Sequence, residues 1–180
     1  MNIFYLSHDP KECAEMHCDK HVVKMIIEYA QLLSTAHRVR DGDEYYDLTA
    51  NGRKIKRWRL PDEREQRLMK ASHINHPSTI WTRANHLNYN WLYEMWVHLL
   101  DEYTYRYGKV HACARLKDDL AKPPEKIPLG LHETEPTPAM PDECKIVNDS
   151  LASYHKYDNE KKTHFARWTK RSAPEWYLTI

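Results

Sequence analysis

Cysteine, histidine, lysine and glutamate recur at helical spacing near the start of this chain. If residues 11–37 form one helix, about 100° per residue places Cys13, His17, Lys20, His21, Lys24, Glu28, Gln31 and Thr35 on roughly one third of its circumference. Met16, Val22, Val23, Met25, Ile26, Ile27, Tyr29, Ala30, Leu32 and Leu33 fill most of the rest. A helix apolar over that much of its girth is largely buried. The polar strip is therefore expected to face a cleft and to form the floor of an active site.

Two chemistries suit the strip. Cys13, His17 and His21 stand four apart, so neighbouring pairs can share a metal ion through thiolate and imidazole. The second is metal-free, with no cofactor required. Lys24 in a partly apolar cleft is expected to lose solvation, which favours its neutral amine and a Schiff base at a sugar carbon. Glu28 one turn on, with His17 and His21 behind, can then move protons. A plainer reading makes Lys24–Glu28 an ordinary i,i+4 ion pair on a solvated face. It accounts for Lys20, Lys24 and Glu28 better than for Cys13, His17 and His21.

A second group of residues is suited to phosphate. Residues 44–60 read as a β-hairpin turning at Asn51-Gly52, where both positions tolerate positive φ. The outgoing arm carries Arg53, Lys54, Lys56, Arg57 and Arg59 with no acidic residue. Such a ribbon can hold a nucleic-acid backbone while Trp58 stacks on a base. Basic edge residues that block strand pairing are the alternative. Asn75-His76-Pro77 precedes a helix N-terminus, where backbone N–H groups favour an anion. His76 with Arg83 can hold a phosphate or oxyanion there, or simply punctuate a helix start. Trp91, Trp96, Tyr103, Tyr105 and Tyr107 are read as core and rim packing.

The elements that must carry these residues are mostly helical. Met1–Leu6 is a strand or an extended arm. Asp9 caps the first helix, Pro10 opens it and Glu12 completes a capping-box pattern. It should stop before Asp41-Gly42. A second helix is expected over 62–72. A third is capped by Ser78, runs to Tyr107 and stops at Gly108. Ala84, Leu87, Trp91, Leu92, Met95, Leu99, Leu100 and Tyr103 make this third helix the core partner of the first. Residues 123–141 hold six of the ten prolines and should wrap the surface as a loop. A helix follows over 141–156. The tail, with Phe165, Trp168, Trp176 and Tyr177, should dock. The expected fold is mainly α: one compact helical domain over 1–180, with a core over 1–122, a protruding basic hairpin, and a C-terminal helix and aromatic basic tail over 142–180.

Composition narrows the class of protein. With 27 Lys plus Arg against 26 Asp plus Glu, net charge does not decide for or against nucleic acid. Twelve Tyr and six Trp against two Phe favour stacking surfaces over a dry core. Only four Gly argue against a Gly-rich phosphate loop, and no Walker or dinucleotide fingerprint occurs. Four scattered Cys and no secretory signal or long apolar run fit a protein of the reducing cytoplasm without a membrane partner.

The stretch Cys18-Asp19-Lys20-His21-Val22-Val23-Lys24-Met25 resembles the opening of an uncharacterised protein family from tailed bacteriophages. Asn75-His76-Pro77 paired with Glu102-Tyr103-Thr104-Tyr105-Arg106-Tyr107-Gly108-Lys109 resembles the same family. That likeness implies a phage protein in an infected host cell and brings no activity with it. The order of elements distantly resembles the phage pyrimidine-dimer DNA glycosylases, small helical enzymes that flip a base out of duplex DNA and cut through an imine. In that family the amine belongs to an N-terminal Thr, where this chain has Asn2 second. Its helix carries a catalytic Glu about where this chain has Lys24.

Together these observations point to an enzyme acting on DNA at a base or glycosidic bond. His17, His21, Lys24 and Glu28 would form the reactive floor. Arg53, Lys54, Lys56, Arg57, Trp58 and Arg59 would hold the backbone, with His76 and Arg83 near the nucleotide. A non-catalytic binder of a nucleotide or phosphorylated small molecule is the alternative. A metal-dependent hydrolase or transferase built on Cys13, His17 and His21 is the third.

Overall fold

The computed structural model describes residues 1–178. The last two residues of the tail assigned to 142–180 lie outside it. Its helices are α1 (Pro10–Met16), α2 (Asp19–Asp41), α3 (Arg64–Arg67), α4 (Pro77–Thr82), α5 (His86–Tyr107), α6 (Lys117–Leu120) and α7 (Ser150–Lys161). One antiparallel hairpin, β1 (Asp43–Leu48) with β2 (Lys54–Arg59), projects after α2. The fold is mainly α with a single hairpin, as the sequence leads one to expect. α5 packs against both α1 and α2, and the core gathers Leu32, Leu33, Met95, Trp96 and Leu99 between them. No helix among the described residues is long and apolar enough to cross a membrane.

Local signals hold where their partners are local. The Asp9 carboxylate accepts from Glu12 N at 2.8 Å, with Pro10 opening α1. Glu12 reaches Ser7 Oγ at 3.0 Å, and that hydroxyl accepts from Asp9 N, so the capping box closes through a third side chain. The hairpin register pairs Asp43 with Arg59 and Leu48 with Lys54. Its turn differs from the expected pair of positive-φ residues: only Gly52 has positive φ, at 73°, and three residues span Thr49 and Arg53. That is the three-residue loop with a left-handed Gly. Gly108 ends α5 at φ 69°.

The expected first helix is broken at His17-Cys18. The His17 imidazole Nδ1 takes the Cys13 carbonyl at 2.7 Å, where a continuing helix would have placed the His17 backbone N–H. Arg106 of α5, fully buried, donates to Glu15 O at 2.9 Å, His17 O at 2.8 Å and Asp19 Oδ1 at 3.0 Å. The carbonyls that a helix end leaves open are thereby satisfied.

Other long helices are likewise shorter than expected. The 62–72 segment keeps one turn, because the Arg38 guanidinium draws in the carbonyls of Glu65, Leu68 and Met69. The 78–107 helix divides at Asn85, whose side chain caps α5 by accepting from Asn88 N. His76, in place of Ser78, caps α4, accepting from Ser78 N at 3.1 Å. The 141–156 helix begins instead at Ser150, capped by Asp149, because residues 142–144 form a separate 3-10 turn. The N-terminal run is an extended arm, unpaired as a strand, with Ile3, Phe4, Tyr5 and Leu6 buried. Residues 123–141 wrap without helix or strand, and Trp168 docks the tail through Met16 O at 2.9 Å.

Candidate functional site

The break at His17 divides the polar strip into two parts with different work. Cys13 and His17 are fully buried and face the N-terminal arm. The Cys13 thiol donates to Phe4 O at 3.2 Å and accepts from Leu6 N at 3.4 Å, and burial pushes it up to about 12. Because Nδ1 of His17 faces a carbonyl, it must carry the proton. Nε2 then accepts from Tyr29 Oη at 2.7 Å, and Tyr29 Oη accepts from Phe4 N at 3.1 Å. Burial lowers the His17 imidazole to about 4, so it is neutral near pH 7. These two residues hold the arm. They are not the reactive floor the sequence assigned to them.

The metal reading fails for the same reason. Both His17 nitrogens and the Cys13 sulfur are spent on protein partners, and His21 sits across the break. Among the described residues no three His, Cys, Asp or Glu side chains are grouped to hold an ion.

The second part of the strip lines a cleft of 410 Å³. Its floor is Lys20, His21, Lys24 and Glu28 of α2. The arm supplies Met1, Asn2 and Phe4 as one wall, and Tyr157, Lys162 and Phe165 close the other. His21 stacks on Phe4 with ring centroids 3.9 Å apart and meets Phe165 edge-on at 5.6 Å. Phe4 lies parallel to Tyr157 at 6.2 Å. The Lys162 ammonium sits 4.5 Å over the Tyr157 ring, and that of Lys20 sits 4.7 Å over Phe165. Flat rings and ammonium groups therefore alternate around the opening.

Glu28 is the one carboxylate in that lining. Its two oxygens lie 3.5 Å from Lys24 Nζ and 3.5 Å from the Met1 amine. Lys24 itself is 71% exposed, so the desolvation expected of it is absent and the i,i+4 pair is what forms. His21 is the buried titratable group instead. Burial, with the His17, Lys162 and Lys24 charges, lowers it to about 3, and its Nδ1 is buried without a partner. An imidazole lowered that far is neutral at pH 7 and a weak base, and Glu28 lies seven residues on, about 10 Å along the helix axis, so the ring serves the cleft as a flat, uncharged surface.

His76 belongs to the same neighbourhood. Burial lowers its imidazole, reinforced by the Met1 amine and His73 and opposed by Glu28. Arg83 does not join it. The Arg40 guanidinium donates to Arg83 O at 2.9 and 2.7 Å. Arg40 lies twelve residues beyond Glu28, about 18 Å along the helix axis. Burial and the Arg40 charge lower Arg83, whose Nη1 is buried without a partner.

The hairpin is rooted at Gly42, about 30 Å along α2 from His21. Arg53, Lys54, Lys56 and Arg59 are exposed. Lys54 rests over Tyr46 at 3.9 Å, Arg59 over Tyr45 at 4.5 Å, and Lys56 pairs with Glu44 at 3.3 Å. Arg57 is half-buried and donates to Ala71 O. Trp58 is buried beneath the strand, close to Gly42, and offers no face for a base to stack on.

Sequence reasoning missed Phe4, Tyr157, Lys162, Phe165 and Asp158. The first four meet α2 only through tertiary packing. Asp158 carries a buried carboxyl whose Oδ1 has no partner, and burial raises it to about 7 against the pull of Lys162. Its one sequence signal is the i,i+4 spacing to Lys162. No protein-family model, curated protein or solved structure matches this chain.

Proposed function

We propose that the chain is an enzyme acting on DNA, at a base or its glycosidic bond, and that the α2 cleft receives an extruded nucleotide. The observation that carries this reading is the convergence in one cleft of aromatic rings, three lysines, a neutral His21 and a lone carboxylate. Phe4, Tyr157 and Phe165 suit a flat base, and Lys20, Lys24 and Lys162 suit its phosphates. Glu28 then stabilises positive charge developing at the sugar or orients a water, while the neutral His21 ring, stacked on Phe4, helps wall the pocket without adding charge. The exposed cations of the hairpin would hold the duplex about one helical turn away, a spacing close to the roughly 34 Å repeat of B-DNA. On this reading the protein works in the cytoplasm of an infected host cell.

The test is single-turnover incubation with duplexes carrying abasic, damaged or modified bases, followed by alkaline cleavage and by borohydride trapping. Glu28→Gln should slow product formation by about a hundredfold or more. A borohydride adduct would assign an imine route through an amine beside Glu28, and its absence with turnover would assign hydrolysis. The alternative, a nucleotide binder, draws support from the engagement of both Glu28 oxygens by ammonium groups. Saturable nucleotide binding without turnover of any duplex would establish that alternative and dismiss the enzyme.

A further inference from the structure

We propose that a second cavity, between the N-terminal arm and α5, binds an organic ammonium group. Its volume is 230 Å³. Pockets enclosing a whole drug-sized ligand run to about 300–1,000 Å³, so this one suits a head group. Tyr5 and Trp91, packed on each other with ring centroids 5.1 Å apart, form one aromatic wall, and Trp81 backs Trp91 edge-on at 6.3 Å.

The polar ends of these rings are already used. Trp91 Nε1 donates to His8 O at 2.8 Å, and Tyr5 Oη shares a 2.6 Å hydrogen bond with His8 Nδ1. Trp81 Nε1 donates to Thr134 Oγ1 at 3.1 Å, and that hydroxyl donates to Asn88 Oδ1 at 2.8 Å. What Tyr5 and Trp91 offer a ligand is therefore their π surface. Glu133 and Glu135, from the proline-rich loop, complete the lining, which contains no Lys or Arg. Glu135 accepts from Ser150 N at 3.1 Å, and its nearest basic group is His8 Nδ1 at 3.8 Å. Glu133 makes no ion pair among the described residues.

Two carboxylates without a permanent counter-charge, beside aromatic faces, attract a positively charged organic group and repel phosphate. The polarity is the reverse of the lysine-rich α2 cleft, so the inference stands apart from the proposed DNA activity. The ammonium has two possible sources, a free polyamine or the side chain of a lysine in a partner protein.

The experiment is calorimetric titration of the full chain with choline and with 3,3-dimethylbutanol, its uncharged isostere. Choline should bind at least about tenfold more tightly than the alcohol. The Glu133→Gln/Glu135→Gln variant, altered at exposed positions that leave the core intact, should lose about tenfold in choline affinity. Equal binding of choline and alcohol, no saturable cation binding by folded protein, or unchanged affinity in the double variant would each overturn the proposal. Spermidine binding more tightly than an acetylated lysine amide assigns the free polyamine, and the reverse order assigns a protein lysine.

Discussion

Asp158→Asn is the substitution whose effect follows most directly from the buried charges. Burial raises this carboxyl from 3.8 to about 7. Between those values the folded chain holds the proton that the unfolded chain has released. The carboxyl therefore costs nothing at low pH and becomes a penalty as pH rises. That penalty is about 4 kcal/mol near pH 7.5 and about 2 kcal/mol near pH 5. Three buried imidazoles run the other way. His17 and His37 are lowered from 6.5 to about 4 and His21 to about 3, mainly by burial. Their contribution is present above 6.5 and is lost as pH falls towards the folded values. From pH 7.5 to pH 5 each loses about 2 kcal/mol, so about 6 in all, while Asp158 returns about 2. The net loss of about 4 kcal/mol is a large share of the roughly 5–15 kcal/mol that holds a domain together. Asn at this position keeps the shape and removes one titration. The variant should be more stable than the parent by about 4 kcal/mol near pH 7.5 and by only about 2 near pH 5. Urea unfolding followed by circular dichroism across that range reads both numbers. A difference that does not change with pH, or a variant weaker than the parent near pH 7.5, refutes the reasoning.

Two further substitutions test the scaffold and the hairpin. Arg106→Met leaves the Glu15 and His17 carbonyls open and takes a cation from buried Glu102, so denaturant unfolding should show a loss of about 3–5 kcal/mol. A loss below about 1 kcal/mol would mean that the helix break stands without the guanidinium. In the hairpin, Arg53→Ala and Lys54→Ala should leave stability within about 0.5 kcal/mol and each reduce the salt slope of DNA binding by about one. Trp58→Ala should cost about 3–5 kcal/mol in stability without changing that slope. Salt-titrated DNA affinity that responds to Trp58 and ignores Arg53 and Lys54 would reverse the assignment.

The parts of this fold legible in the sequence are those whose partners lie within a few residues. Asp9-Pro10, Asn51-Gly52 and Gly108 mark boundaries that the structure keeps, because a carboxylate three residues away or a positive φ decides them. The breaks were not legible. Arg106 lies 89 residues from His17, and Arg38 lies 31 from the Met69 carbonyl it captures, so helical periodicity runs straight through both places. The site divides in the same way. Lys24 and Glu28 meet through local helical spacing, whereas the rings and lysine that wall the cleft arrive from the arm and from residues 157–165. A wheel drawn through an unbroken helix also buried Val23 and Ile27, which are 42% and 43% exposed.

The break explains why the strip contains two kinds of residue that a single helix would have mixed. Cys13 on the short α1 and His17 at its C-cap turn inward and grip the arm through Phe4 O, Leu6 N and the Tyr29 hydroxyl. That grip presses the Phe4 ring against His21. Burial under Phe4 and Phe165 is in turn what keeps the His21 imidazole neutral amid lysines. The residues that looked most like ligands therefore act one step back from the cleft, by building the wall that sets the state of the one imidazole on its floor. His17→Ala should accordingly reach the cleft through the arm. It would free Phe4, rehydrate His21 and raise the pH at which that imidazole takes up a proton, a shift that the His21 ring resonances in an NMR pH titration report directly. An unshifted His21 titration in folded His17→Ala protein would break that chain of dependence.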